Sequence, residues 1–225
     1  MTSPTTGAFA SAAGLFVVMA ALLFAPPWTL DWWQAWLFLA VYFGGSIALM
    51  LDLAERDPAL LERRMKGGPW AEERLSQKII MTFASLGFVG LLVIPALDRR
   101  FGWSQTSTLV VLAGNALVLI GGTGVWRVFR ENSFTSARIE VASDQRVIST
   151  GPYAHVRHPM YATALVMMAG IPIALGSWWG LLAFAAMMPA LIWRILDEEK
   201  FLGSELPGYA QYKQKVRYRL ITHFW

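Results

Sequence analysis

Arg157-His158-Pro159-Met160-Tyr161 sets a guanidinium, an imidazole and a phenol at the start of an apolar run, with Gly151-Pro152-Tyr153 just upstream. Ionisable side chains at the edge of a lipid-embedded segment are costly and mark functional sites. Gly151-Pro152 favours a turn, and His158, preceding a proline, is biased away from helical geometry. Pro159 suits the first position of the following helix, where its missing N–H costs nothing. The free N–H groups near Met160 and Tyr161, with the positive end of the helix dipole behind them, favour an anionic group such as a carboxylate. A second polar cluster, Arg194 and then Asp197-Glu198-Glu199, closes the last apolar run. Three acids near a helix C-terminus oppose its dipole, so either the helix continues or the acids have cationic partners. Arg194 and Glu198 are four apart on one helical face, which keeps a purely structural ion pair open.

The elements that must position these clusters are apolar helices. Of the 225 residues 56% are hydrophobic and 15% charged, more apolar surface than one soluble core of this length needs. Residues 8–25, 32–51, 79–97, 108–126, 159–175 and 178–195 each approach the ~20 residues that cross a hydrocarbon core of ~30 Å. Barrel-type alternation is absent, which leaves helices to satisfy the backbone in lipid. The expected fold is an all-α polytopic membrane protein of about six transmembrane helices. A cleavable leader is the competing reading of residues 8–25, but the first basic residue is Arg56, so a retained helix is expected. Gly176-Ser177 makes the last two spans a tight hairpin, which brings the Arg157–Tyr161 end and the Arg194–Glu199 end to one membrane surface.

Basic residues collect on the cytoplasmic side. Of the 19 Lys and Arg, only Arg99 and Arg100 fall in outer connections, so the motif and both termini are expected to be cytoplasmic, in the inner or cell membrane if the chain is bacterial. The outer connections are short, whereas residues 52–78, 127–158 and 196–225 are long enough to form a cytoplasmic cap. Within the first, Pro58-Ala59-Leu60-Leu61-Glu62-Arg63-Arg64-Met65 reads as an amphipathic interfacial helix ended by Gly67-Gly68-Pro69, with a gating role and a plain solvated surface both open. The tryptophans, among them Trp28, Trp32, Trp33, Trp103, Trp178 and Trp179, read as an aromatic belt. Met167-Met168 and Met187-Met188 read as packing or lipid-facing residues, or as the wall of a pliable apolar tunnel.

With no cysteine there is no disulfide or thiolate nucleophile, and the three histidines lack metal-ligand spacing, so no metal is expected. The net charge of +4 flanks membrane spans rather than forming an aromatic-interleaved basic domain, so its partner is anionic headgroups and not nucleic acid. Oligomeric state has no signature in the sequence.

Gly151-Pro152-Tyr153, Arg157-His158-Pro159-Met160-Tyr161, Arg194 with Glu198-Glu199-Lys200-Phe201-Leu202, and Tyr209 and Tyr212 before a basic run ending in Leu220-Ile221 occur in a joint order and spacing. In these residues the chain resembles the integral-membrane isoprenylcysteine carboxyl methyltransferases and the bacterial proteins grouped with them, whose pattern is shared with phospholipid methyltransferases. The resemblance covers about residues 132–221 and departs from the family at Thr222, where relatives often carry proline, and in the stretch 203–208. Hydropathy puts transmembrane helices 1–4 in residues 1–130, with an interfacial helix near 55–75, and the resemblance implies a methyltransferase core in 131–225.

It further implies S-adenosylmethionine as cofactor, bound by Gln145, Arg146, Val147, Ile148, Tyr153, His158, Pro159, Met160, Tyr161 and Glu198, with Arg194 as the catalytic residue beside the methyl acceptor. The residue chemistry agrees. The helix N-terminus and His158 suit the cofactor carboxylate, Glu198 a hydroxyl or the ammonium, and Tyr153 or Tyr161 the adenine or the cation. His158 as a simple helix cap is the alternative. A lipophilic acceptor entering from the bilayer with an ionised carboxylate needs no general base, and Arg194 would orient it. An amine or thiol acceptor needs one, for which Glu199 and His155 are candidates. A phospholipid N- or small-thiol S-methyltransferase, a membrane sterol-type reductase using a nicotinamide cofactor, and a transporter or scaffold are the other readings.

Overall fold

The computed structural model describes residues 4–65, 67, 72, 74–137 and 145–225. Lys66, Gly68, Pro69 and Arg138, which figure in the charge pattern and in the expected end of the interfacial helix, lie outside them. Among the described residues the chain forms eight α-helices and no strand: α1 Pro4–Phe24, α2 Trp33–Arg56, α3 Pro58–Met65, α4 Leu75–Phe101, α5 Thr108–Glu131, α6 Pro159–Ala174, α7 Gly180–Glu205 and α8 Tyr209–Lys215. The protein is an all-α polytopic membrane protein. Helices α1, α2, α4, α5 and α7 are long and apolar enough to cross a membrane. The sixth expected span, α6, is also apolar but has 16 residues, ~24 Å at ~1.5 Å per residue.

The six apolar helices alternate in direction. The starts of α4 and α6 and the ends of α5 and α7 meet at one end, through Gln77, Tyr161, Asn132, Tyr153 and Arg194. At the other end Asp98 of α4 meets Ser177 in the α6–α7 turn, and Arg100 of α4 donates to Pro26 O just after α1 at 3.0 Å. Helix α2 joins the first end through Asp52, whose carboxylate accepts from Trp126 of α5 at 2.7 Å. Helix α6 therefore runs the depth of the bundle despite its length. One apolar cluster, with Met19, Phe38, Leu92, Val118, Ile171 and Met187 among its members, takes residues from all six.

Glycines set the position of α6 against α5. A Cβ on Gly121 would stand 2.5 Å from the backbone nitrogen of Met167, one on Gly114 would overlap the backbone of Ala174, and one on Gly170 would stand 2.8 Å from Gly114 O. Small residues let membrane helices approach until their backbones touch, the contact that replaces a hydrophobic driving force in lipid. The pairs Gly114–Ala174, Gly121–Met167 and Gly124–Thr163 fix the antiparallel register, which leaves the last turn of α5 standing above Pro159.

Helix α3 has the expected bounds, and its apolar face is turned to protein. Leu60 and Leu61 are buried with Ala8, Leu53 and Phe129, so its apolar face docks on α1, α2 and α5. Its polar face reaches the connector after α5, where Arg64 Nη1 donates to Ser136 O at 2.7 Å and Arg63 donates to Ser133 O. Trp28, Trp33, Trp103, Trp178 and Trp179 are exposed as a belt requires, whereas Trp32, 1% exposed, is a core residue and leaves that group.

Candidate functional site

Successive residues on a helix project about 100° apart. Helix α7 continues to Glu205, so its three acids face three different neighbours. Asp197 turns to α4, where Arg74 lies at 2.8 Å and the Gln77 amide donates to the same oxygen. Glu198 turns to α6 and accepts from the Tyr161 hydroxyl at 2.7 Å. Glu199, buried, accepts from Arg157 Nε at 2.6 Å and Arg219 Nε at 3.1 Å, with His158 Nε2 3.2 Å away and Lys213 Nζ at 3.7 Å. A carboxylate only accepts, so His158 carries its proton on Nε2 in this pairing. Helix continuation and cationic partners, the two ways out of the dipole conflict, are both present.

Around Glu199 the cap is tied down. Backbone N–H groups of Arg157 and His158 donate to Tyr218 O and Arg219 O, each at 2.9 Å, and Arg157 Nη1 donates to Val216 O at 2.8 Å and Arg217 O at 2.7 Å. Helix α8 buries Tyr209 and Tyr212 with Leu206 and Val216, against Val147, Tyr153 and Leu202. Tyr212 donates to Tyr153 O at 2.8 Å, and Asn132 donates to the Tyr153 hydroxyl at 3.0 Å. Gly151 makes the preceding turn at φ +56°, where a Cβ would also meet the Glu131 carboxylate at 2.6 Å. Burial pushes the Tyr153 phenol up to about 12 and raises Tyr209 and Tyr212 as well, so all three stay protonated at neutral pH.

Beneath this cap lies a cavity of about 470 Å³. Gln145, Arg146, Val147, Ile148, Tyr153, His158, Pro159, Met160, Tyr161, Arg194 and Glu198 all line it, so the ten residues expected at the cofactor and Arg194 share one space. His158 precedes α6 without a side-chain capping bond, and its ring is turned to Glu199 instead, which removes the simple-cap reading. The cavity continues as an apolar arm between α4, α6 and α7, past Met81, Leu165, Met167, Met168, Met187 and Met188. Both methionine pairs pack in or against the apolar core and also line this arm, so packing and a pliable wall both describe them.

Arg194 differs from the sequence expectation in its partners. Its carboxylate partner is Glu72 at 2.8 Å, and Nη1 also donates to Gln77 Oε1 at 2.5 Å. Between Arg194 and Glu198 stands the Tyr161 hydroxyl, accepting from Arg194 Nε at 3.1 Å while donating to Glu198. A simple i,i+4 ion pair is thus replaced by a bridge through α6 and a clamp from the start of α4. The candidate bases fare differently from the cofactor residues. Glu199 has its oxygens taken by cations, and His155 is exposed; neither lines the cavity. Glu72, Gln77 and the lining residue Arg64 escaped sequence reading, since each is contributed from over 50 residues upstream of the nearest motif and none has a spacing of its own.

Residues 109–206, somewhat under half of the chain, match the family model for phospholipid methyltransferases, a family grouped with the isoprenylcysteine carboxyl methyltransferases. The matched stretch takes in α6 and α7 whole, and with them His158, Tyr161, Arg194 and Glu198. No curated protein matches the chain. The likeness lies where the polar cap closes over the cavity, and it makes the chain a membrane methyltransferase whose methyl donor is S-adenosylmethionine.

Proposed function

We propose that the polar end of the cavity holds the methyl donor and the apolar arm the tail of a lipophilic acceptor, with transfer to an acceptor carboxylate of the isoprenylcysteine type. The donor set fits the cofactor. Met160 and Tyr161 present uncapped N–H groups at the α6 start beside His158, which suits a carboxylate. Glu198 suits a hydroxyl or ammonium, Tyr153 and Val147 give an aromatic and an apolar wall, and Gln145, Arg146 and Ile148 complete the rim. When bound, the cofactor would supply an electrophilic methyl on a sulfonium, for an acceptor oxygen held in line with it. The protein's part is alignment, which in well-oriented reactions accounts for several kcal/mol of barrier, about 7 or more. Tyr161 fixes both Glu198 and Arg194, so one side chain sets the distance between the donor and acceptor ends.

The observation that supports the carboxylate reading is Arg194, a guanidinium lining the cavity that can orient an ionised acceptor oxygen. Among the described residues the cavity is lined by one carboxylate, Glu198, which accepts from Tyr161, and one histidine, His158, whose Nε2–H faces Glu199 and whose Nδ1 is the neutral base that an amine or thiol acceptor would call on. A carboxylate acceptor is already ionised at neutral pH and needs none. The second reading, a phospholipid amine, is favoured by the description of the matched family. The site and both termini are placed at the cytoplasmic face on the distribution of Lys and Arg.

Purified protein incubated with lipid extract and isotopically labelled S-adenosylmethionine separates these. Label released as methanol by mild alkali identifies a methyl ester; alkali-stable label alone sinks the carboxylate reading in favour of an amine or thiol. Absence of S-adenosylhomocysteine binding at millimolar concentration would overturn the cofactor site itself.

A further inference from the structure

Arg64 lies in α3, outside the matched segment, yet it lines the same cavity as Tyr153, Tyr161 and Arg194. The other guanidiniums deep in this wall are balanced, Arg194 by Glu72 at 2.8 Å and Arg157 by Glu199 at 2.6 Å. Arg146 also lines the cavity but is exposed to water. Among the described residues Arg64 has no carboxylate within ion-pair distance. One Nη donates to Ser136 O at 2.7 Å, and Cζ lies 5.1 Å from the centre of the Phe129 ring. The charged and titratable groups acting on it are Arg194, a like charge, and the phenols Tyr153 and Tyr161; burial pulls its affinity for the proton below the ordinary arginine value.

A half-buried guanidinium beside a second cation is stabilised when an opposite charge reaches it. The cavity is the open route for that charge, and the fork left free by the Ser136 contact suits a planar or tetrahedral oxyanion. We propose that Arg64 binds the anionic group of the acceptor, the reacting carboxylate itself or a phosphate beside the reacting group, while Arg194, already neutralised by Glu72, holds the acceptor from the α7 side. This assignment rests on the reading of the cavity as the methyl-transfer site. It divides the work of the chain: the C-terminal half holds the methyl donor, and the N-terminal half selects an acceptor by charge.

The test measures binding of octanoate, octyl phosphate and octanol to the full chain in a neutral detergent, with S-adenosylhomocysteine affinity measured in parallel. Wild type is expected to bind at least one of the two anions tenfold or more tighter than octanol. Arg64→Gln removes that preference and leaves S-adenosylhomocysteine affinity within twofold; Arg64→Lys retains part of it. The tighter of the two anions identifies the source, carboxylate or phosphate. Equal binding of anion and alcohol by wild type overturns the proposal, as does a preference that survives in Arg64→Gln. Loss of S-adenosylhomocysteine affinity along with the preference also overturns it, because Arg64 then only holds the connector. If Arg64→Gln does not fold, an Arg64→Lys variant with the full wild-type preference supports a charge-based site, and one with none overturns it. Wild type that fails to bind S-adenosylhomocysteine defeats the proposed function, while the anion preference still judges Arg64.

Discussion

Two buried acids stand at opposite ends of the bundle and are satisfied in opposite ways. Asp98, 3% exposed, gathers neutral donors: Ser104 N and Oγ, each at 2.6 Å, and the Ser177 hydroxyl at 2.5 Å. Those same serines accept from Trp178 N and Gly180 N, so a compact knot closes the α4–α5 and α6–α7 turns together. Glu199, 4% exposed, gathers cations from α6 and from the tail. Neutral donors suffice where the task is to fasten two turns permanently. A ring of cations around one acid instead ties segments distant in sequence into a cap whose grip depends on charge, at the end where a ligand must enter.

Replacement of Glu199 by Ala should have the largest effect, about 3–5 kcal/mol lost, because Arg157 is left buried without its counter-charge. Thermal unfolding followed by circular dichroism, with S-adenosylhomocysteine binding, reads both stability and cap; an intact cap would erase the distinction between the two ends. Asp98→Asn comes next, at about 1–3 kcal/mol, since one acceptor oxygen becomes a donor facing other donors. Cofactor affinity of the folded Asp98→Asn protein should equal wild type, and a drop would mean that the far knot reaches the site. Arg219→Gln removes a cation with 27% of its side chain exposed and should cost under about 1 kcal/mol, with the loss shrinking in high salt.

The smallest effect near neutrality belongs to pH. Tyr153 has its folded value raised to about 12 from the ordinary 10, so its contribution is complete below pH 10 and is lost as pH rises toward 12. Tyr209 and Tyr212 shift in the same direction. Between pH 10 and 12 cofactor binding should fail before helicity does, and Tyr153→Phe should narrow that gap. Simultaneous loss would show that the cap and the bundle are one unit.

The cap was legible where the signal was local. Pro159 at a helix start, Gly176 in the hairpin at φ +76°, and the run from Arg157 to Tyr161 are each dictated by neighbours in sequence. The six-helix pattern was equally plain from hydropathy, although α7 runs past residue 195 and α8 was not foreseen, being too short and polar to show a period. The ion pair of Arg194 was out of reach for a physical reason. An i,i+4 spacing shows which residues share a face, but not what another helix inserts between them, and here α6 inserts Tyr161 while α4 brings Gln77 across 117 residues. Trp32 failed for a related reason: hydropathy does not separate a boundary tryptophan from one turned inward.

The shortness of α6 has a bearing on how such an enzyme meets its substrate. With ~24 Å of helix against ~30 Å of hydrocarbon, the membrane must thin beside it or its polar start must sit lower than the neighbouring helix ends. The turn of α5 that rises above Pro159 and the two turns of α7 beyond Glu198 then form a rim around a sunken floor. The lipophilic acceptor proposed for this site would reach such a floor without being lifted from the bilayer. Each methylene left in oil would spare about 0.8 kcal/mol of extraction work, so about one missing turn of helix lowers the work of bringing such an acceptor to the site.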